Sequence, residues 1–213
     1  GPRAGPHLLA AATCKHFAAY DLERVSLRGQ WRMGFDAAVG ARDLLESYLP
    51  AFEACVGAGA EQVMCSYNSV NGVPACASPD LLNGVLRAGW GFNGSVVSDF
   101  DAWANLVEPD RFVENLTMAA AVGLNAGMDQ EGGGTAASSK LRDAVAAGLT
   151  TRERVAASFK RLFRTRIRLG MFDPPASVSY NHLALEPLLV GGRELALRAA
   201  RAAVCLYSNR GAV

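Results

Sequence analysis

The chain has 213 residues, half of them apolar and 19% charged, and its 21 basic and 20 acidic side chains leave a formal net charge of +1. This composition excludes a disordered polymer and supplies one sizeable hydrophobic core, while the balanced charge gives no field to draw nucleic acid or an anionic membrane and fits a neutral ligand. The longest apolar stretches, such as Leu8 to Cys14 and Met118 to Val122, fall far short of the roughly 20 residues a membrane span needs.

Gly1 to Pro6 has no apolar run behind a charged start, as expected of a mature chain or a piece of a longer one. Beyond it, short apolar runs alternate with longer amphipathic ones, which predicts strand-then-helix units and a parallel sheet. The first run, Leu8 to Cys14, ends in Lys15 and His16. A polar loop through Trp31 leads to a helix from about Ala41 to Val56, in which Leu44, Leu45, Tyr48, Leu49 and Phe52 fall at helical spacing and Pro50 should cause a break or kink. The second run is Gln62 to Ser66. After the loop Tyr67 to Ala77, Ser78 and Pro79 give an N-cap and a first-turn proline for a helix through about Arg87.

The third run, Ser95 to Ser98, ends at Asp99 and precedes a helix from about Glu114 to Val122; the fourth, Leu124 to Met128, ends at Asp129. Two helices follow, Thr135 to Ala147 and Thr151 to Leu169, the second opened by Thr151 as N-cap and closed by Gly170. Asp173, Pro174 and Pro175 open a linker over 173–192. A helix near Arg193 to Ala202 then runs into a strand-like segment, Ala203 to Tyr207, the expected start of a second α/β domain over 193–213.

A closed barrel of alternating strands and helices needs eight units and about 250 residues. The four units here predict the C-terminal half of a (β/α)8 TIM-like barrel over residues 1–172, with strand edges left exposed. Parallel barrels gather the carboxyl ends of their strands on one face. That would bring Lys15-His16, Tyr67-Asn68, Asp99 and Asp129 around one pocket.

Lys15-His16-Phe17 within the run Cys14 to Glu23, then Met64-Cys65-Ser66-Tyr67-Asn68, then Gly94-Ser95-Val96-Val97-Ser98-Asp99, look like successive motifs of family 3 glycoside hydrolases. Ala126-Gly127-Met128-Asp129 looks like the strand end that follows them, and order and spacing match over roughly residues 8 to 173. The resemblance implies a retaining β-glycosidase with Asp99 as its nucleophile. It implies that Lys15 and His16 hold sugar hydroxyls, that Tyr67 sits beside the nucleophile and that Met64 lines the same pocket. Tyr20-Asp21-Leu22-Glu23, with Arg32, Phe35 and Ala37, resembles the β-xylosidase branch, so an exo-acting enzyme releasing terminal β-xylosyl residues is expected. A β-glucosidase of the same family and a catalytically incomplete sugar-binding fragment stand as alternatives. Gly89, Ser95 and Phe100 depart from the family's usual charged or amide residue, aromatic residue, and tryptophan or cysteine.

Retaining chemistry needs one ionised carboxylate to attack the anomeric carbon and a second carboxyl group, roughly 5 Å away, to protonate the leaving oxygen. Lys15 would help keep Asp99 ionised. The second group in most of the family is a glutamate from the domain after the barrel, so that domain is an expected partner and the 213-residue chain alone is expected to be inactive. A subgroup that uses a barrel-loop histidine is disfavoured, because no histidine lies between His16 and His182. No cofactor is expected, and with His7, His16 and His182 scattered along the chain no metal site is either.

Asp129 is expected to be structural, and Lys160, Arg161, Arg164, Arg166 and Arg168 to form a solvated helix face. Five cysteines forbid complete internal pairing, but Cys65 and Cys76 resemble a pair bridged in secreted relatives. Asn93-Gly94-Ser95 and Asn115-Leu116-Thr117 are glycosylation sequons. An extracellular or secretory-pathway glycoprotein is the expected setting.

Overall fold

The computed structural model describes residues 3–23, 31–208 and 210–211, so part of the polar loop before Trp31 and the end of the expected second domain lie outside the described residues. The chain divides into two compact units, Gly1–Asp173 and Pro174–Val213.

In the first unit four parallel strands pair in sequence order: β1 Thr13–Phe17, β2 Gln62–Cys65, β3 Ser95–Phe100 and β4 Gln130–Gly132. Each crossover is helical, which is what a parallel connection requires. Between β1 and β2, Ala41–Asp43 and a wide turn over Leu44–Tyr48 lead into α1, Pro50–Gly57. Pro50 takes the first position of α1, where its missing N–H costs nothing. Between β2 and β3 runs α2, Asp80–Gly89, with the Ser78 hydroxyl accepting from the Leu81 N–H at 3.3 Å. Between β3 and β4 runs α3, Leu116–Ala126, capped by the Asn115 side chain at the Met118 N–H, 3.0 Å away. After β4 come α4, Leu141–Ala146, and α5, Arg152–Arg168, which opens on the Thr151 cap and ends before Gly170 in the left-handed region.

One face of the sheet meets the core, where Phe17, Val63, Cys65 and Val96 pack with Leu82, Leu86, Leu106, Trp103 and Met128. Gly123 makes room for Trp103: a Cβ there would lie 2.2 Å from the indole nitrogen, which donates to the Ala119 carbonyl at 2.7 Å. Asp36–Ala37 pairs with Ser69–Val70, which turns back to Val73–Pro74 through Asn71 and Gly72, both at positive φ. This Asn-Gly hairpin lies inside the loop expected over Tyr67 to Ala77.

Several expectations shift. The first strand begins at Thr13, so Lys15 and His16 lie within it; Leu8 instead pairs with Arg3 in a short antiparallel ribbon after the Gly5 turn. The fourth expected strand is the end of α3. Leu124 to Ala126 continue its buried small-residue face, Gly127 stops it at positive φ, and β4 starts only after Asp129. An apolar run buried on all sides carries no period to separate helix from strand. Asp129 therefore stands at the amino end of its strand, not among the carboxyl ends.

The basic face expected over Lys160 to Arg168 is solvated only in part: Lys160 and Arg164 are exposed, but Arg161 and Arg168 turn to buried acids. Arg161 reaches the fully buried Asp129 carboxylate at 2.8 Å, beside Arg87 at 2.6 Å and the Val96 N–H at 2.8 Å. Arg168 pairs with the buried Glu61, and Arg164 lies 3.8 Å from it. Positions 161, 164 and 168 share one helical face, and a buried carboxylate needs such partners. Disulfides join Cys65 to Cys76 and also Cys14 to Cys55, with Cα atoms 5.2 and 6.6 Å apart, and Cys205 is free. In the second unit, two short turns and a five-residue helix, Leu185–Leu189, precede α6, Gly192–Ala203. Ala203 ends that helix, and Val204 to Tyr207, expected as a strand, pairs with no strand among the described residues; a strand forms only where a neighbour takes its backbone bonds.

Replacing Asp129 by Asn leaves Arg87 and Arg161 without their shared counter-charge and should cost about 3–5 kcal/mol of unfolding free energy, read by urea denaturation. A cost below about 1 kcal/mol would remove the carboxylate from its structural role. Asp110 gives a pH-dependent case. Its Oδ2 is buried without a protein partner, and burial pushes the carboxyl up to about 7. The raised value means the fold favours the protonated acid, so stability falls as pH rises from about 4 to about 7 and is level above. Asp110→Asn should match the parent at pH 3.5 and exceed it at pH 8 by on the order of 2 kcal/mol in chemical denaturation.

Candidate active site at the carboxyl ends of the strands

Alternation along β3 puts Ser95, Val97 and Asp99 on the face away from the core cluster that holds Val96. At its amino end this face carries a polar ladder. Thr13 donates to Gln62 at 3.0 Å, and the Gln62 amide reaches Ser95 at 3.1 Å and Gln130 at 3.3 Å, so all four strands join in. Ser95, where the motif it resembles usually has an aromatic residue, is buried and hydrogen-bonded there. Met64, half-buried opposite Val97, follows on the same face as Gln62, and Asp99 ends the series on β3.

At the carboxyl ends the structure brings together His16, Tyr67 and Asp99. The His16 Nε2 lies 3.3 Å from the Asp99 Oδ2, with the Asp99 side chain 14% exposed. Asp99 Oδ1 accepts the Phe100 N–H at 2.8 Å. Tyr67, the second residue beyond β2, hydrogen-bonds to Asp99; burial, then the Asp99 charge, push its phenol up to about 12, against the pull of Arg32. It stays protonated at neutral pH and donates to the carboxylate. Burial also lowers the His16 pKa, and this outweighs the opposing pull of Asp99 while Lys15 and Arg32 add to the lowering, so the ring is neutral at pH 7.

Lys15 is exposed on β1 beside a bulge, where the register slips between Cys14 and Phe17. Among the described residues its ammonium makes no ion pair with Asp99, and its charge is felt at His16. Asn68 does not face the site. It is buried and its amide donates to the carbonyls of Ala18 and Ala19, each at 3.2 Å, fastening the chain that leaves β1. Asp129 is at the opposite end of the sheet.

Sequence reasoning did not assign a site role to Tyr20, Glu23 or Arg32. The Glu23 Oε2 accepts from Arg32 at 3.1 Å and from the Tyr20 hydroxyl at 3.3 Å, and the Arg32 guanidinium carbon lies 5.2 Å from the centre of the Tyr67 ring. Tyr20 stands 5.2 Å from His16 and 6.1 Å from Tyr67, ring centre to ring centre. The available signal was an aromatic and two opposite charges in a loop that leaves a strand bearing site candidates. Phe100, next to Asp99, is 65% exposed.

Comparison with known proteins bears on this face. The family model of the glycosyl hydrolase family 3 N terminal domain matches residues 8–165. An exo-1,4-beta-xylosidase of Emericella nidulans is 47% identical over 167 residues, 76% of this chain and 22% of its own. A beta-xylosidase/alpha-L-arabinofuranosidase of Medicago sativa is 38% identical over 205 residues, 95% of this chain and 26% of its own. Among solved structures, a GH3 exo-beta-xylosidase in complex with a xylobiose aziridine probe aligns with a TM-score of 0.82 at 32% identity, over 88% of this chain and 24% of that one. A beta-glucosidase involved in saponin metabolism from intestinal bacteria aligns at 0.80 and 26% identity, over all of this chain and 28% of its own. The chain thus spans about a quarter of the length of these relatives. The match of the family model over most of the chain, on the parallel sheet whose strand ends carry the resembling motifs, establishes that it belongs to glycoside hydrolase family 3.

Proposed function

We propose that this chain is the nucleophile-bearing part of a retaining, exo-acting β-glycosidase that releases terminal β-xylosyl residues from xylan-derived chains. The observation that carries this reading is Asp99 itself: a partly accessible carboxylate at the end of β3, hydrogen-bonded by a protonated Tyr67 and 3.3 Å from a neutral His16. Attack of an Asp99 oxygen on the anomeric carbon forms a glycosyl ester as the bond to the leaving oxygen breaks. The proton for that oxygen comes from a carboxyl group outside this chain, on the domain that follows the barrel. The same group then takes a proton from the water that cleaves the ester.

In this reading Lys15 and His16 hold sugar hydroxyls, and Met64 and Tyr67 shape the pocket around the reacting ring. The four-stranded sheet, open at β1 and β4, is the C-terminal half of a (β/α)8 barrel, and residues 173–192 link it to an α/β domain that begins near 193. Two disulfides fit an oxidising, secretory setting, and Asn93 and Asn115 are both exposed for glycosylation. Xylose rather than glucose is supported by the xylosidases among the relatives.

In the full-length protein, Asp99→Asn should lower kcat on nitrophenyl β-xyloside on the order of 10³-fold or more, with the circular dichroism spectrum unchanged. A fluorinated xyloside should label the peptide that contains Asp99; a label on another carboxylate rejects the assignment. Turnover of nitrophenyl β-glucoside above that of the xyloside would favour a β-glucosidase. The 213-residue chain by itself should not cleave xylobiose, whose unactivated leaving group needs the acid. Measurable xylose release from that chain would put the acid within it.

A further inference from the structure

Tyr20, Glu23, Arg32 and Phe35 gather beside Tyr67, and the chemistry proposed above uses none of them. The Glu23 carboxylate collects two donors on one oxygen, Arg32 at 3.1 Å and the Tyr20 hydroxyl at 3.3 Å. The guanidinium is thereby held over the Tyr67 ring, 5.2 Å from its centre, while Tyr20 stands at a tilt to the same ring and is backed by Phe35, 6.1 Å away. Tyr67 has Arg32 against its ring, Tyr20 beside it, and Asp99 at its hydroxyl.

Arg32 and Glu23 are 39% and 63% exposed at their side chains, and an ion pair so exposed adds little to folding. What it does supply is orientation. A planar cation over an aromatic face favours one placement of that ring, and the Tyr67 hydroxyl meets Asp99 only in a narrow range of ring placements. We infer that Arg32, oriented by Glu23, is a positioning residue that acts through Tyr67, holding the phenol on the Asp99 carboxylate. The inference rests on the assignment of Asp99 as nucleophile. It separates Arg32 from residues that touch sugar, because a group acting through Tyr67 on Asp99 changes kcat far more than KM. It also specifies arginine, since the compact ammonium of lysine cannot both reach Glu23 and place a broad cation over the Tyr67 ring.

The test is a double-mutant cycle in the full-length protein on nitrophenyl β-xyloside. Arg32→Met should lower kcat about 10-fold with KM changed less than about twofold, Tyr67→Phe about 30-fold, and the double variant no more than Tyr67→Phe alone. Arg32→Lys should restore only part of the loss, and the thermal midpoints of all variants should stay within about 2 °C of the parent. Additive losses, near 300-fold in the double variant, would overturn the inference, as would a rise in KM at constant kcat, the mark of direct contact with substrate. If Arg32→Met does not fold, Glu23→Gln takes its place in the cycle. It frees Arg32 without touching Tyr67, and its effect should vanish in the Tyr67→Phe background. Should Asp99→Asn retain turnover, the nucleophile assignment fails; should it abolish turnover while the cycle is additive, only the role of Arg32 fails.

Discussion

The buried carboxylate of Asp129 is the constraint on which the rest of this half-sheet depends. Its side chain is out of contact with water, and three donors answer its charge: Arg87 near the end of α2, Arg161 on α5 and the Val96 N–H on β3. Burial without such partners would cost several kcal/mol, and with them the carboxylate becomes a joint that fixes two helices against one strand. Glu61 repeats the arrangement two strands away. It precedes β2 as Asp129 precedes β4, its side chain meets Arg168 and Thr165 of α5, and its carbonyl accepts the Ser95 N–H at 3.0 Å. Helix α5 thus clamps the amino ends of the strands through two buried acids.

The carboxyl ends are built on a different electrostatic plan. At Asp129 two cations saturate the carboxylate, whereas at Asp99 the neighbours identified are neutral: a protonated phenol, a backbone N–H and an uncharged imidazole. A carboxylate drained by two guanidinium groups is held in place but is a poor nucleophile. One held by neutral donors keeps its orientation and most of its electron density, which is what attack on an anomeric carbon asks for. If Asp99 is the nucleophile as proposed, the same residue type does opposite work at the two ends of the sheet, in line with the general division of parallel barrels into a stability face and a reaction face.

Much of this was legible in the sequence, and the failures have definite physical causes. Strands β2 and β3 have flanking turn signals and the right length, and the caps at Ser78 and Thr151 and the stop at Gly170 are local chemistry that tertiary packing does not override. The strand expected over Leu124 to Met128 failed because its apolar residues Leu124, Ala126 and Met128 are buried, as they would be in helix or strand, and hydrophobicity alone cannot tell the two apart. The α5 arginines failed for the opposite reason. A basic stripe looks solvated until the buried acids that receive it are known, and Glu61 lies over 100 residues away in sequence. The Cys14–Cys55 bridge, across 41 residues, has no local signature either. Arg32 was visible only as a family-like loop residue, because its role depends on a ring contributed by another strand's end.

The two disulfides complete the logic of the reaction face. Cys14 directly precedes Lys15 and His16, and Cys65 lies two residues before Tyr67, so each of the strands that present side chains to Asp99 is tied down just before its site residues. Cys14 is bound to α1, and Cys65 is bound within the core to the short turn before α2. β3 carries no bridge of its own. It is the inner strand between β2 and β4, its amino end is held by Asp129 and Glu61, and its register is set by four consecutive pairings with β2. Asp99 can then sit at the tip of a rigid strand while its partners come from pinned neighbours, and their separation is governed by the sheet rather than by loop conformation. Tyr67 is the exception, since it lies beyond the end of β2 and its ring is free of the strand's alternation. A contact from the opposite loop is what such a side chain lacks, and Arg32 supplies one.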